Sequence, residues 1–190
     1  MTPYGIFLPE LEELFLYCTP SKVTSDFMVD VLEAGWLTQR GRFPHIKTLL
    51  LNQDNGPENH SRRTQFMKRL VEFAQRHQIN LQLAYYPPDH SKYNPIERTW
   101  GVLENHWNGN ILGDVNTVLK FAETMTWKGR HPTVQLVVQT YPTGVKLTKP
   151  EMAKVETQIH RLQPLEMQGR LLDLGKWFIN ISGCPELELG

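Results

Sequence analysis

Apolar segments of strand length alternate with segments of helical periodicity along the first half of the chain, and this alternation restricts the fold more than any other feature. Residues 4–8 and 14–18 flank an acidic, turn-like segment, a pattern typical of a β-hairpin. After the hairpin, Thr24 or Ser25 can cap a helix whose apolar residues recur at helical spacings and which ends before Gly41. The chain is therefore predicted to begin with two strands and a helix.

A continuous apolar run at residues 48–51 predicts a strand buried on both faces, and it stops at the polar loop 52–57. An amphipathic helix is predicted from about residue 62 to residue 77, a strand at 81–85 and a helix from 95 to about 108. The order ββαβαβα predicts an α/β fold in which helices flank a mixed sheet.

The second half of the chain is less regular. A helix is predicted at residues 116–125 and a strand at 133–140. The capping box that begins at Thr148 predicts a further helix that runs toward Leu162. No internal repeat or low-complexity tract interrupts these elements.

At 190 residues the chain has the size of one domain with an extension, and we expect a domain over residues 1–125 and an extension over residues 126–190 packed on its core. It has 20 Lys and Arg against 20 Asp and Glu, so its formal net charge is zero. Any binding to nucleic acid must therefore depend on local patches of positive charge. No apolar run is long enough for a membrane span. Cys18 and Cys184 match no metal-binding spacing, which favours a reducing, cytoplasmic environment.

Asp54 is the best-placed carboxylate in the sequence, because it follows directly on the predicted strand at residues 48–51. In open α/β sheets, ligands and catalytic groups lie beyond the carboxyl ends of the strands. Asp-Asn-Gly is also an ordinary turn sequence in which the aspartate bonds nearby backbone. The sequence is therefore compatible with either a catalytic or a turn-forming role for Asp54.

Glu97 is the second such carboxylate, at the start of the helix that follows the next strand. Asn94 as N-cap, Pro95 as the first helical residue and Glu97 as the third would form a capping box. That role is compatible with catalysis, because a capping glutamate can turn one oxygen outward. Glu104 lies seven residues further on the same helix face and is the alternative to Glu97.

Two carboxylates from neighbouring elements can begin a site for hard divalent cations such as Mg²⁺. Two-metal sites hold their ions about 3.5–4 Å apart and assist both the attacking and the leaving oxygen in phosphoryl transfer. We therefore expect the carboxylates of Asp54 and Glu97 to converge at one edge of the sheet.

The segments around both carboxylates, residues 51–59 and 86–100, resemble the DDE transposases of bacterial insertion sequences. The combination of DNG and PP…S.YNPIE..W is similar to the mariner-like superfamily, and most similar to the ISAzo-type, or Rhodopirellula-type, transposases. The resemblance covers most of the chain, from residues 5–9 to residues 144–147.

This resemblance implies a ribonuclease-H-like fold and a polynucleotidyl transferase that acts on transposon ends and target DNA with two Mg²⁺ or Mn²⁺ ions. Asp54 would correspond to the second catalytic aspartate and Glu97 to the final glutamate, both as metal ligands. A homo-oligomer, and a location at the nucleoid in a bacterial cytoplasm, fit the same family.

The family's first catalytic aspartate lies on a central strand before the hairpin, and no residue here matches it, since Asp26 and Asp30 belong to the first predicted helix. We therefore expect a truncated transposase that is inactive alone, in which the hairpin strand at residues 4–8 and the strand at 48–51 lose their shared neighbour. Either the hairpin pairs directly with residues 48–51, or a gap remains and leaves both strands at unpaired sheet edges. The alternatives are a DNA-binding or oligomerisation remnant that regulates transposition, a non-binding remnant, and a metal-dependent nuclease that needs an acid before residue 1.

Five basic side chains in and near the second helix are suited to DNA phosphate contact: Arg62, Arg63, Lys68, Arg69 and Arg76. A solvated helix face explains them nearly as well. The spacing of four histidines matches no common metal site and predicts surface or loop positions: His60, His77, His90 and His106. Trp100 and Trp107 are predicted to pack in the core rather than stack on bases.

Overall fold

The structure is a computed structural model, and it describes residues 1–86, 94–108, 114–162 and 177–183. Within those ranges the chain forms five α-helices, a short 3₁₀ helix and seven strands. The helices are α1 Ser25–Gln39, α2 Thr64–His77, α3 Pro95–Trp107, α4 Val115–Thr124 and α5 Lys149–Glu156, with the 3₁₀ helix at Arg40–Arg42. The strands are β1 Thr2–Leu8, β2 Glu13–Thr19, β3 Thr48–Gln53, β4 Asn80–Tyr85, β5 Thr133–Leu136, β6 Ile159–Arg161 and β7 Trp177–Ile181.

One compact unit comprises Met1–Val23 and Lys92–Thr143. Its sheet has the order β1-β2-β5, in which β1 and β2 form the predicted antiparallel hairpin and β5 runs parallel to β2. The central position of β2 explains why all of its residues after Glu13 are buried. The strand predicted at 133–140 is present but shorter, because β5 ends at Leu136.

The core of this unit forms where α3 and α4 pack on the hairpin. Trp100 and Trp107 pack against it, which confirms the core role predicted for both. A Cβ atom on Gly5 would lie only 2.9 Å from side-chain atoms of Ile96 and of Trp100, so α3 approaches β1 where β1 has no side chain.

The second compact unit comprises Thr24–Ser91 and Gly144–Gly190. Its sheet has the order β3-β4-β7-β6, with β3 parallel to β4, and β7 antiparallel to both β4 and β6. The α/β class and the mixed character of the sheets are confirmed, and they are consistent with a ribonuclease-H-like fold.

The strands form two sheets rather than the one mixed sheet that was predicted. β1 lies at the end of the first sheet and β3 at the end of the second, and among the described residues neither strand has a second neighbour. These are the two strands that were expected to lie at unpaired edges if a gap remained between them.

The apolar stripe of α2 lies in the core of the second unit, as its periodicity predicts. The four predicted stripe residues are all buried: Phe66, Leu70, Phe73 and Ala74. They join alternate side chains of β4 and β7, which also face this core.

The prediction that β3 is buried on both faces is wrong. Leu49 and Leu51 pack against the core, but the side chain of Leu50 between them is 53% exposed. Successive side chains of a strand point to opposite faces. The exposure of Leu50 therefore shows that the second face of β3 is not covered there.

Local capping signals mark the starts of α1 and α5. Thr24 caps α1 by accepting a hydrogen bond from the backbone N–H of Phe27 at 3.3 Å. The capping box at Thr148 and Glu151 is present at the start of α5. However, α5 ends at Glu156 rather than continuing to Leu162, because residues from Ile159 form β6.

The described residues after 125 contribute to both units, through α5, β5, β6 and β7. The division of the chain at residue 125 stays a prediction. Among the residues that the structure describes, no helix has the length and apolar character needed to cross a membrane.

Candidate metal centre

Asp54 directly follows the carboxyl end of β3, which includes Asn52 and Gln53 and therefore ends later than the predicted strand at residues 48–51. The last residue of the strand, Gln53, pairs with Tyr85 of β4, and the carbonyl of Gln53 accepts a hydrogen bond from the N–H of Tyr86 at 3.0 Å. Asp54 follows this last ladder contact and is exposed. Its carboxylate is therefore accessible at the end of a fixed strand.

The side chain of Asn59 holds the Asp54 carboxylate from within the same loop. Its Nδ2 donates to Asp54 Oδ1 at 2.8 Å, and the residue is only 6% exposed. In the turn-forming role, the aspartate would bond nearby backbone. This hydrogen bond instead joins the Asp54 carboxylate to a side chain five residues later.

Glu58 anchors the loop to the first turn of α1. The backbone N–H and the hydroxyl of Ser25 donate to Glu58 Oε2 at 3.2 and 3.0 Å, and Arg63 donates to the same carboxylate at 3.0 Å. Burial opposes ionisation of Glu58, but these hydrogen bonds outweigh it, so its pKa is lowered. The carboxylate of Glu58 is thus a structural anchor, not a free ligand.

The oxygens around Gly56 suit a hard cation. A Cβ on Gly56 would lie 2.9 Å from Asn59 Oδ1 and 3.5 and 3.6 Å from the two Asp54 oxygens. Asn59 Oδ1 is buried and has no hydrogen-bond partner among the described residues. Carboxylate and amide oxygens are the ligands that Mg²⁺ and Ca²⁺ prefer, so Asp54 fits the metal role predicted for it.

Glu97 lies in the first turn of α3 and is exposed. Asn94 is the N-cap residue, but its side chain makes no capping hydrogen bond, so that part of the predicted capping box is wrong. Pro95 at the helix start has a fixed φ that suits this position, and the carbonyl of Asn94 still accepts the N–H of Glu97 at 3.1 Å. The convergence of Asp54 and Glu97 stays a prediction.

Most of the basic residues proposed to contact DNA have acidic partners. Arg63 pairs with Glu58, Lys68 with Glu72, Arg69 with Asp26 and Asp30, and Arg76 with Glu33. These pairs reduce the local positive charge. The spacing of Asp26, Asp30 and Glu33 on one face of α1 was the signal in the sequence that could have predicted this arrangement.

Arg62 differs from the other basic residues. It is exposed, and none of the described acidic residues forms an ion pair with it. It lines a cavity of about 390 Å³ together with Ser61, Tyr85 and Arg161. Arg62 is therefore the residue of this basic group best able to contact a phosphate.

Three of the four histidines lie within the described residues, and His90 lies outside them. His77 was predicted at the surface, but its side chain is only 7% exposed and its Nε2 lies 2.7 Å from Glu33. Burial opposes ionisation of Glu33, yet the hydrogen bonds from Arg76 and His77 lower its pKa. No group of three or more His, Cys, Asp or Glu that could hold a metal occurs in the described ranges.

A match to a protein-family model identifies the family to which the chain belongs. The family model of the Rhodopirellula transposase DDE domain matches residues 1–169. The chain belongs to this family. DDE transposases act on DNA and typically use divalent metal ions, which agrees with an exposed carboxylate at the end of a strand. Neither the curated proteins nor the solved structures include a match to the chain.

Sequence reasoning missed Asn59 and Gly56 as neighbours of the Asp54 carboxylate. Both lie in the Asp54 loop, and Gly56 belongs to the motif that carries the family resemblance. The glycine of this motif was therefore a signal in the sequence that another group lies close to residue 56. In the structure, the lack of a side chain at Gly56 leaves room for Asn59 Oδ1. The separation of five residues between Asp54 and Asn59 did not indicate that their side chains would form a hydrogen bond.

Proposed function

We propose that this chain carries the metal-binding part of a mariner-like DDE transposase, with Asp54 and Glu97 as two of the carboxylates that bind Mg²⁺ or Mn²⁺. The observation that carries the proposal is the position of Asp54, an exposed carboxylate held at the end of β3 in a chain of this family. Glu97 is an exposed carboxylate at the start of α3.

A pair of bound ions would activate an attacking oxygen and stabilise the leaving oxygen of a DNA phosphodiester. Asp54 and Glu97 would bind the ions, and Arg62 would contact the DNA backbone. Asp26 and Asp30, the aspartates that precede Asp54, interact with Gln65 and Arg69. Their structural role supports the proposal that neither is the family's first catalytic aspartate.

A DNA-binding or oligomerising regulator of transposition is the second candidate function. It is favoured by β1 and β3, which each lie at an end of a sheet. Such a regulator would bind DNA or a second subunit and would not need the two carboxylates. Neutralising Asp54 and Glu97 therefore distinguishes it from the metal-dependent function.

Iron-mediated cleavage of the protein tests whether Asp54 and Glu97 share a metal site. Fe²⁺ bound in place of Mg²⁺ generates radicals with ascorbate and peroxide, and these cut the polypeptide near the ion. We expect mass spectrometry to find cuts near residue 54 and near residue 97 in one sample. Excess Mg²⁺ should suppress both.

Matched variants assign the ligands. Asp54→Asn and Glu97→Gln should each remove the paired cuts, whereas Glu104→Gln should leave them, because Glu104 is the rival carboxylate on the same helix. Cuts near residue 54 that persist unchanged in Glu97→Gln would contradict a shared site. Loss of both cuts in Glu104→Gln would assign the glutamate role to Glu104.

A further inference from the structure

Asn59 is the residue whose side chain contacts the Asp54 carboxylate. Its Nδ2 donates to Asp54 Oδ1 at 2.8 Å, and its backbone N–H donates to the carbonyl of Gly56 at 3.4 Å. Asp54 is exposed whereas Asn59 is 6% exposed. An exposed carboxylate is therefore hydrogen-bonded to a buried neighbour.

Tyr85 of β4 fixes Asn59 in turn. The Tyr85 hydroxyl, on a side chain that is 1% exposed, donates to the backbone carbonyl of Asn59 at 3.1 Å. Burial raises the pKa of Tyr85, so the phenol keeps the proton that it donates. A residue of the adjacent strand thus determines where the loop places Asn59.

Gly56 leaves the space that this arrangement needs. A Cβ at Gly56 would lie 2.9 Å from Asn59 Oδ1, closer than side chains normally pack. Gly56 is not among the glycines with positive φ, so the requirement is for space rather than for an unusual backbone conformation. The side chain of Asn59 therefore occupies space beside Gly56 that a Cβ atom there would fill.

We propose that Asn59 is a positioning residue for the metal-binding carboxylate of Asp54, and that Tyr85 holds Asn59 in place. This inference rests on the proposed function of Asp54. A donated hydrogen bond restricts the rotamers of Asp54 before an ion arrives, so less conformational entropy is lost on binding. Partners of this kind, which orient a metal ligand from outside, typically contribute about 10- to 100-fold to metal affinity.

Mn²⁺ binding to the purified full chain tests the proposal, with Mn²⁺ alone as the probe and electron paramagnetic resonance of the free ion as the readout. We expect Asn59→Ala to weaken Mn²⁺ binding about tenfold, and Tyr85→Phe to weaken it by a smaller factor. Asn55→Ala is the matched control. It removes a hydrogen bond in the same loop, from the N–H of Ser61 to Asn55 Oδ1, and should leave the affinity unchanged.

A purely structural role for Asn59 predicts a lower melting temperature with unchanged Mn²⁺ affinity in the folded protein, so both quantities are measured. If Asn59→Ala does not fold, Tyr85→Phe, which keeps the aromatic ring, decides the outcome. Affinity that falls in Asp54→Asn but not in the folded Asn59 and Tyr85 variants would overturn this inference alone. Affinity that is equal in the wild type and Asp54→Asn would overturn the proposed function as well.

Discussion

Arg62 and Arg69 have the same charge, but their neighbours give them different roles. Arg62 is exposed and lines a cavity, whereas Arg69 is 22% exposed and lies between Asp26 and Asp30 of α1. A guanidinium with two carboxylate partners loses those contacts if it binds DNA. Formal charge therefore does not decide which arginine contacts a phosphate.

We predict that Arg62→Gln weakens binding to duplex DNA and reduces the salt dependence of the affinity by about one phosphate contact. Arg69→Gln should instead lower the free energy of unfolding by about 1 kcal/mol, because it removes partly exposed ion pairs, and should change DNA affinity little. Fluorescence anisotropy across a KCl series and urea denaturation measure the two effects. A larger loss of DNA affinity in Arg69→Gln than in Arg62→Gln would reverse this assignment.

The edge strand β3 is the element whose exposure has the clearest consequence. The carbonyls of Lys47 and Gln53 accept hydrogen bonds from the N–H groups of Asn80 and Tyr86. Since backbone groups alternate in direction along a strand, the N–H groups of Leu49 and Leu51 face β4 and that of Leu50 faces the open edge. Apolar open edges of this kind promote self-association.

We predict that the Leu50 amide exchanges with solvent much faster than the amides of Leu49 and Leu51. Leu50→Lys should reduce self-association with little loss of stability, because the side chain is exposed and a lysine disfavours pairing at an edge. Hydrogen exchange by NMR and light scattering measure the two effects. Leu51→Lys is the control and should unfold the protein, since Leu51 packs against the core.

A monodisperse monomer with a strongly protected Leu50 amide would mean that another segment covers this edge. In that case the open-edge interpretation of β3 would be wrong, although the metal-site proposal would be unaffected.

For the molecule as a whole, the expectation that the chain is inactive alone depends on how many metal ligands it supplies. A two-metal site needs carboxylates that hold both ions, and we have assigned only Asp54 and Glu97 to it. The described residues contain no group of three or more His, Cys, Asp or Glu that could hold a metal.

We therefore predict that the purified chain does not cleave DNA of the sequence that flanks its own gene, in either Mg²⁺ or Mn²⁺. Gel analysis of end-labelled DNA is the measurement, with Asp54→Ala as the paired variant. Specific cleavage that disappears in Asp54→Ala would show that a third ligand is present in this chain.

Features that depend on residues close together in the chain could be predicted from the sequence. The hairpin, a cap of α1 at Thr24 or Ser25, the capping box of α5 and the buried stripe of α2 follow from local spacing and capping chemistry. The position of Asp54 beyond β3 also follows from the polar loop sequence, although β3 continues through Asn52 and Gln53 after the apolar run ends.

Which distant residues become neighbours could not be predicted in this way and depends on the tertiary fold. It paired Arg69 with Asp30, 39 residues away, and inserted β7 between β4 and β6. It also placed β3 at a sheet edge, so that an apolar run predicted to be buried on both faces exposes Leu50. Such outcomes depend on the free energy of contacts between segments, whereas periodicity reports only the direction in which each side chain points.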